Sequence, residues 1–440
     1  MAMTEQDGDQ ACTRSGNPTG AADVAVIGAG IVGVCTAYEL RKRGQRVILI
    51  DKAEPGQGCS FGNSGAISPS SVTPLAMPGV LASVPRMLGK PDSPLFLPWW
   101  YLPSAAPWLI RFVMAARPHI VRQSAASLAR IHTAAVQRHE CLAREVGVPE
   151  LVLRRGHLHL YRDQSALDAD HAAWDLRAQH GYTFSRLSRQ ALQALEPRAP
   201  ERYKVAMFLE DQATILNPYR YVRAIFAQFL ARGGESSRAE VRALRRDGEG
   251  LWEIVTDARP IFTRQVVVAA GIWSRALLEP LGIRLHMETQ RGYHVQFTHR
   301  ESPVSRTVIL TDHKVFLTPM EDGLRIGGTV EFAGTQAQPN EHRARILLRV
   351  AQENFSELVD KPHQTWMGHR PCMPDTVPVM GPADAFVSDN ADKLPGLWVA
   401  TGHGHLGLTD SVGTASLIAD GVCSAANSGL KTRAGQAQYG

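Results

Sequence analysis

The spacing of hydrophobic positions along the chain changes several times. Residues 23–27 form a short apolar run, glycines interrupt it, and residues 31–43 then repeat apolar positions at helical spacing before Gly44. A second apolar run, residues 46–50, ends in Asp51, so this opening reads as strand, helix, strand. Residues 56–78 are rich in Gly, Ser and Pro and read as an ordered loop, while residues 121–146 place Leu128, Ile131, Ala135 and Leu142 near helical spacing. Alternation over residues 151–161 predicts a strand around His157–Tyr161, and residues 219–231 an amphipathic helix stopped by Gly233 and Gly234. Strands are predicted over 252–255 and over 265–270, the latter ending at Gly271. Four runs at 293–297, 308–310, 315–318 and 324–327 read as antiparallel strands, with Glu321-Asp322-Gly323 the clearest turn. A helix over 341–354 and a strand over 397–400, feeding a Gly-rich turn, complete the pattern.

Composition narrows the class. A chain of 440 residues exceeds one ordinary core, so two closely packed domains are expected. With 44% apolar and 20% charged residues it is globular, and a net charge of +5 is too small and diffuse for a nucleic-acid binder. Cys12, Cys35, Cys59, Cys141, Cys372 and Cys423 are scattered without metal-ligand spacing, so no metal and no disulfide framework is expected. Residues 1–22 are polar and Gly-rich and read as a flexible tail, not a secretory signal; residues 431–440 read as a second tail. No run of 18 uncharged apolar residues exists, and a reduced, cytoplasmic setting is expected. One stretch stands apart: residues 95–116 carry Trp99, Trp100, Tyr101, Trp108 and Phe112 among prolines. It reads first as a buried helix-and-loop wall of a substrate domain. The second reading is an interfacial patch touching the inner face of the cytoplasmic membrane.

The strongest chemical signal is Gly28-Ala29-Gly30-Ile31-Val32-Gly33 between the first strand and its helix. Gly28 permits the tight turn, Gly30 lets a pyrophosphate approach the backbone, and Gly33 lets the helix pack on the strand. The phosphate then meets the unpaired N–H groups and positive dipole end of the helix. Asp51, eighteen residues past Gly33, stands where a carboxylate accepts hydrogen bonds from a ribose hydroxyl and repels a 2′-phosphate. Further small-residue segments lie at Gly58–Gly65, at Val266–Gly271 and at Ala400–Thr409. Three separated Gly-rich strand ends converging on one cofactor suit an elongated FAD better than NAD.

Together these segments resemble the FAD-dependent D-amino acid oxidase superfamily, most closely its D-amino acid dehydrogenase branch. The resemblance also rests on Arg291-Gly292-Tyr293-His294-Val295, Gly327-Gly328-Thr329-Val330-Glu331, Trp366-Met367-Gly368-His369-Arg370-Pro371 and Gly402-His403-Gly404-His405-Leu406-Gly407, collinear from about residue 23 to 425. It implies an α/β fold: a Rossmann-like FAD-binding domain, split in sequence, interleaved with an antiparallel-sheet α+β substrate domain. The expected segments are 23–75, 205–284 and 368–430 for FAD, and 76–204 and 285–367 for substrate. It implies cofactor contacts at Gly28, Gly30, Ile31, Val32 and Gly33, at Asp51 and Lys52, and at Ser60, Asn63, Ser64 and Gly65. Val241 and Gly271 follow, then Gly402, His403, Gly404, His405, Leu406 and Gly407. Arg370 matches the arginine that clamps a substrate carboxylate, a role suited to a planar, permanently charged fork. Tyr293 is expected to donate its hydroxyl to the same carboxylate, and His405 to shape substrate choice. Some family members hold flavin through a cysteine near this motif; Gly368 stands at that place and Cys372 is displaced, so non-covalent FAD is expected. The implied reaction is hydride transfer from the α-carbon of a small D-amino acid to flavin N5, giving an imine, then a keto acid and ammonia. The implied acceptor is a quinone, a carrier protein or oxygen. A cyclic D-imino acid or an N-methyl glycine as substrate, and a flavin subunit of a multi-protein redox complex, stay open as alternatives.

Overall fold

The computed structural model describes residues 22–78, 93–248, 250–298, 301–387 and 393–436. The expected tail over 1–22 lies outside the described residues except for Ala22, as do residues 437–440 of the second tail. Residues 431–436 are not tail: they belong to the helix Gly407–Gln436.

Two large sheets organise the chain. The first runs in the order Glu235–Arg238, Val47–Asp51, Val24–Ile27, Gln265–Val268, Leu397–Thr401, Val379–Pro382, parallel throughout except at the last pair. Its central strands are apolar on both faces because both faces are covered. Val24 and Val26 pack against the helices Ile31–Lys42, Pro218–Ala231 and Gly407–Gln436, whereas Ala25 and Ile27 face a three-stranded sheet built from Val241–Arg246, Trp252–Thr256 and Ile261–Thr263. Alternation of side chains along an extended strand divides the residues between the two cores. The predicted glycine stop after Ala231 is present: Gly233 has φ 78° and donates to Leu230, and Gly234 donates to Phe229.

The second sheet is mixed and holds the order His363–Cys372, Glu288–Phe297, Gly323–Glu331, Val315–Met320, Thr307–Leu310, His157–Tyr161, Val205–Leu209, Ser185–Ser188, with Leu95–Phe96 beside Gly323–Glu331. Helix Glu341–Asn354 covers its apolar face. The hairpin at Glu321-Asp322 is as expected, Met320 pairing with Gly323. The sheet is mainly antiparallel, as expected; Thr307–Leu310 runs antiparallel to Val315–Met320 and parallel to His157–Tyr161. Three expected segment boundaries are corrected. Val205–Leu209 pairs with His157–Tyr161 and belongs to this sheet, and His363–Cys372 crosses the boundary expected at 368 as one strand. Residues 121–146 form two helices, Pro118–His132 and Ala135–Glu145, separated at Ala134, whose φ is 53°. The second of these packs in the dinucleotide-side core, although its sequence position suggested the substrate unit.

Candidate active site

A cavity of about 990 Å³ is lined by residues from both large sheets. One end is made of backbone. Strand Val24–Ile27 ends at Gly28, φ 107°, where a Cβ would lie 2.5 Å from the carbonyl oxygen of Ala269; its N–H donates to the Ile50 carbonyl at 2.8 Å. A Cβ on Gly33 would overlap the Gly28 carbonyl oxygen, so the helix can sit this close to the turn only without one. Gly30 faces the open cavity, its nearest neighbour being Ser60 Oγ. The Ile31 N–H donates to Ser60 Oγ at 2.9 Å, which leaves the hydroxyl proton for an acceptor in the cavity. Asp51 accepts from the Ala29 N–H at 2.6 Å and the Ala53 N–H at 2.9 Å, so its carboxylate fixes the glycine turn and keeps lone pairs for hydroxyl donors.

Ile31, Val32, Asn63, Ser64, Val241, Gly271, Gly404, Leu406 and Gly407 also line the cavity, as do Lys52, His403 and His405. Gly33, Gly65 and Gly402 do not; they shape it from behind. Gly65 (φ 74°) passes close to the Ile215 carbonyl and Gly402 (φ 84°) packs on Met373. Lys52 reaches over the Trp273 ring at 5.3 Å. The segment from Ser60 to Gly65 is tied to the second sheet: Arg325 donates to the Phe61 carbonyl at 3.1 Å, and His294 Nδ1 lies 3.1 Å from the Gly62 carbonyl. Trp366 stacks on His294 at 5.2 Å and lies across Gly62 and Gly368, where any Cβ would overlap its ring. The cofactor-side loop is therefore positioned by the opposite unit.

The other end is made of side chains. Strand His363–Cys372 carries Arg370, whose guanidinium lies over Gly292 of the neighbouring strand; a Cβ there would overlap it. Its Nη1 donates to the Thr329 carbonyl at 3.4 Å. Thr329 has φ 50° and fills a β-bulge: Gly292 pairs with Val330 and Tyr293 with Gly328, so Thr329 is the extra residue and its carbonyl is turned toward Arg370. Among the described residues no carboxylate stands within ion-pair distance of Arg370. Burial lowers its pKa, but a guanidinium stays cationic in water. Beside it, burial pushes the Cys59 thiol up to about 11 and Cys372 up to about 12, so neither is a thiolate at neutral pH. An enclosed cation with one weak backbone partner is costly unless an anion joins it, and a carboxylate matches its fork.

His405 opens onto the same cavity and takes no hydrogen bond among the described residues. Its side chain is exposed along the cavity, yet the protein crowded around it, then the Arg370 charge, push its pKa down to about 4, so its ring is neutral at physiological pH. His403 is buried and shares a hydrogen bond with Thr414 Oγ1 at 3.0 Å, a packing role.

Tyr293 departs from the expectation. It borders the cavity, but its hydroxyl donates to the Glu331 carboxylate and accepts from the Asn340 N–H at 3.0 Å. Glu331 also meets Arg291 Nη1 at 3.2 Å and Asn340 Nδ2 at 3.0 Å. Burial and Glu331 push the phenol up to about 12. The proton is already committed, so the hydroxyl is not presented to a substrate carboxylate. Sequence reasoning quoted Thr329, Glu331 and Gly292 in their motifs but gave them no role, and gave Trp273 none. The adjacent glycines of Gly327-Gly328-Thr329 were the available signal, since paired glycines in a strand mark close approach.

The tryptophan-rich stretch supplies the remaining wall. Helix Leu102–Ala115 turns Trp108, Leu109, Phe112 and Val113 into the cavity, and Trp108 Nε1 donates to the Cys372 carbonyl at 3.0 Å. The wall expected there is present on the inner side, while Trp99 and Trp100 are exposed.

A dinucleotide cradle that shares its cavity with a buried cation suits a cofactor-dependent oxidoreductase. The chain matches the FAD dependent oxidoreductase family over residues 23–421, and it belongs to that family. It is 38% identical over 403 residues to a D-amino-acid oxidase of Bradyrhizobium diazoefficiens, covering 90% of this chain and 94% of that protein. It is 32% identical over 412 residues to a D-amino acid dehydrogenase of Paramagnetospirillum magneticum, with the same coverage. Among solved structures, glycine oxidase from Geobacillus kaustophilus superposes with a TM-score of 0.68 at 20% identity, covering 92% of this chain and 95% of that one. L-proline dehydrogenase from P. horikoshii superposes with a TM-score of 0.67 at 17% identity, over 91% and 92%. At these identities the two structures show the shared fold. The protein is an FAD-dependent oxidoreductase. The residues of the cradle fit that cofactor: Gly30 leaves open space at the helix N-terminus, Ser60 has a hydroxyl proton to give, and Asp51 has lone pairs to receive.

Proposed function

We propose that this enzyme oxidises the carbon–nitrogen bond of a small D-amino acid, with FAD held non-covalently. The observation that carries the reading is Arg370: a cation with no carboxylate partner among the described residues, opening onto the cavity that the dinucleotide cradle shares. The relatives named D-amino-acid oxidase and D-amino acid dehydrogenase support the substrate class. Bound FAD supplies a two-electron acceptor, at its N5, for hydride from the substrate α-carbon. The chain's own residues position the substrate. Arg370 grips the α-carboxylate through two parallel hydrogen bonds, and Gly292 leaves room for the guanidinium to lie flat. Trp108 and Phe112 enclose the cavity with apolar surface and exclude water. A neutral His405, with its pKa pushed down to about 4, is a weak base. The substrate amine therefore reacts in its deprotonated form: its lone pair closes the C=N bond as hydride leaves the α-carbon. Water then hydrolyses the imine to a keto acid and ammonia. The two electrons leave to a quinone, a carrier protein or oxygen. Gly368 offers no side chain for flavin attachment, and the raised thiols of Cys59 and Cys372 support a non-covalent cofactor.

The test is anaerobic mixing of the yellow holoprotein with a panel of D- and L-amino acids, cyclic imino acids and N-methyl glycine, following flavin absorbance. Small D-amino acids bleach it fastest, and acid precipitation leaves the colour in solution. Bleaching confined to L-amino acids or to N-methyl glycine overturns the substrate class. Colour fixed to the precipitate overturns non-covalent binding.

A further inference from the structure

Helix Gly407–Gln436 carries Asp410 in its first turn, and that carboxylate is fully buried. Acidic residues favour a first turn, but ordinarily as solvated groups at an open helix end. Here Oδ2 has no hydrogen-bond partner. Among the described residues the ion-pair partner of Asp410 is His132 alone, equally buried, with Nε2 2.9 Å from Oδ1. His132 closes helix Pro118–His132, and its Nδ1 lies 2.9 Å from the Pro69 carbonyl. A carbonyl only accepts, so Nδ1 carries a hydrogen. A neutral ring would then turn the Nε2 lone pair toward an anionic oxygen, which repels it, whereas a ring protonated at both nitrogens attracts it. A buried carboxylate with no cation beside it is strongly disfavoured.

The pair stands directly behind the cavity wall. Pro69 follows Ser68 and Asp410 follows Thr409; Ser68 and Thr409 both line the cavity, and the Ser68 N–H donates to Thr409 Oγ1 at 3.1 Å. His405, which opens onto the cavity, feels both charges: beside the larger effects of crowding and Arg370, Asp410 raises its pKa and His132 lowers it. The Asp410 charge also reaches His403 and His139, where it opposes the lowering caused by burial. Neither of those rings pairs with Asp410. His403 meets Thr414 Oγ1, and His139 is held between the Leu408 carbonyl at 2.8 Å and the Tyr221 hydroxyl at 3.1 Å.

We propose that His132 is an imidazolium that cancels the buried Asp410 charge, and that this neutral pair sets the electron affinity of the bound FAD. Reduction adds negative charge to the cofactor, and an unbalanced carboxylate behind its cavity wall opposes that addition. The inference needs FAD in the cavity but no particular substrate, so it stands or falls apart from the proposed reaction.

The test is the flavin reduction potential of the holoprotein, measured anaerobically against reference dyes with no amino acid present. His132→Gln keeps a hydrogen-bond donor in place but leaves Asp410 unbalanced. It should favour oxidised flavin by about tenfold, a potential lower by roughly 30 mV for a two-electron couple. Asp410→Asn, alone or combined with His132→Gln, leaves no charge at the pair and should stay within about threefold of wild type. A purely structural role predicts a different grouping, with both proteins that carry His132→Gln shifted together. Nitrogen-15 NMR of the histidines reads the pair directly in wild-type holoprotein, whatever flavin the variants retain. The ring signal that Asp410→Asn alters should show both nitrogens protonated at neutral pH. An unchanged potential in His132→Gln, a double variant as low as that single one, or a neutral His132 ring in wild type overturns the proposal.

Discussion

The two ends of the cavity are built from different material, and they respond differently to reading and to mutation. At the cofactor end the critical surfaces are backbone: Gly28 against Ala269, Gly33 against Gly28, the open approach over Gly30. At the substrate end they are side chains placed by strand register, a bulge and one left-handed residue: Arg370 over Gly292, held by the Thr329 carbonyl. At Gly28 and Gly33 the backbone tolerates almost no change, because a Cβ there meets a carbonyl that cannot move. Side-chain surfaces tolerate change in structure but lose specific chemistry.

That contrast predicts the largest effect at Gly33. Gly33→Ala drives a methyl into the Gly28 carbonyl and pushes the helix off its strand, at a cost of about 3 kcal/mol or more. The variant is expected to purify colourless or largely insoluble, with a lower melting temperature. A soluble, fully yellow Gly33→Ala protein would show that the cradle is more compliant than its geometry indicates. Arg370→Ala sits at the opposite pole. The fold and the flavin spectrum persist, because Arg370 supports little besides the Thr329 contact. The rate constant for flavin bleaching at low substrate should fall by roughly two to three orders of magnitude, about 3–4 kcal/mol of lost carboxylate binding. Loss of flavin together with activity in this variant would erase the distinction between the ends.

The same contrast explains what was legible in the sequence. Gly28, Gly30 and Gly33 were readable because a required backbone geometry leaves only one residue type and fixes the spacing. Arg370 was readable only through its motif, since the chain holds many arginines and spacing alone marks none of them. The role assigned to Tyr293 failed for a physical reason. A residue on a sheet strand can point its tip toward the cavity or into the buried network beside it, and the choice is made by Glu331 and Asn340, thirty-eight and forty-seven residues away. Nothing local to Tyr293 announces those partners. The role of Thr329 was hidden similarly: its φ of 50° follows from a bulge created by pairing two distant strands. The strand Val205–Leu209 was misplaced because its apolar pattern suits either sheet, and only its pairing with His157–Tyr161 assigns it.

Tyr293→Phe makes the smallest predicted change and tests the correction most directly. The variant keeps the ring that borders the cavity and removes only the hydroxyl that joins Glu331 to the Asn340 N–H. Glu331 retains Arg291 and Asn340 Nδ2, while the Asn340 N–H loses its acceptor. Stability should therefore drop by about 1–2 kcal/mol. Substrate affinity, read as the concentration giving half-maximal bleaching rate, should move less than about threefold, because no bond to substrate is lost. The opposite split, with unchanged stability and affinity weakened tenfold or more, would mean that the hydroxyl leaves Glu331 when substrate arrives. The substrate end would then include Tyr293 after all, and its side chains would rearrange on binding where the backbone end cannot.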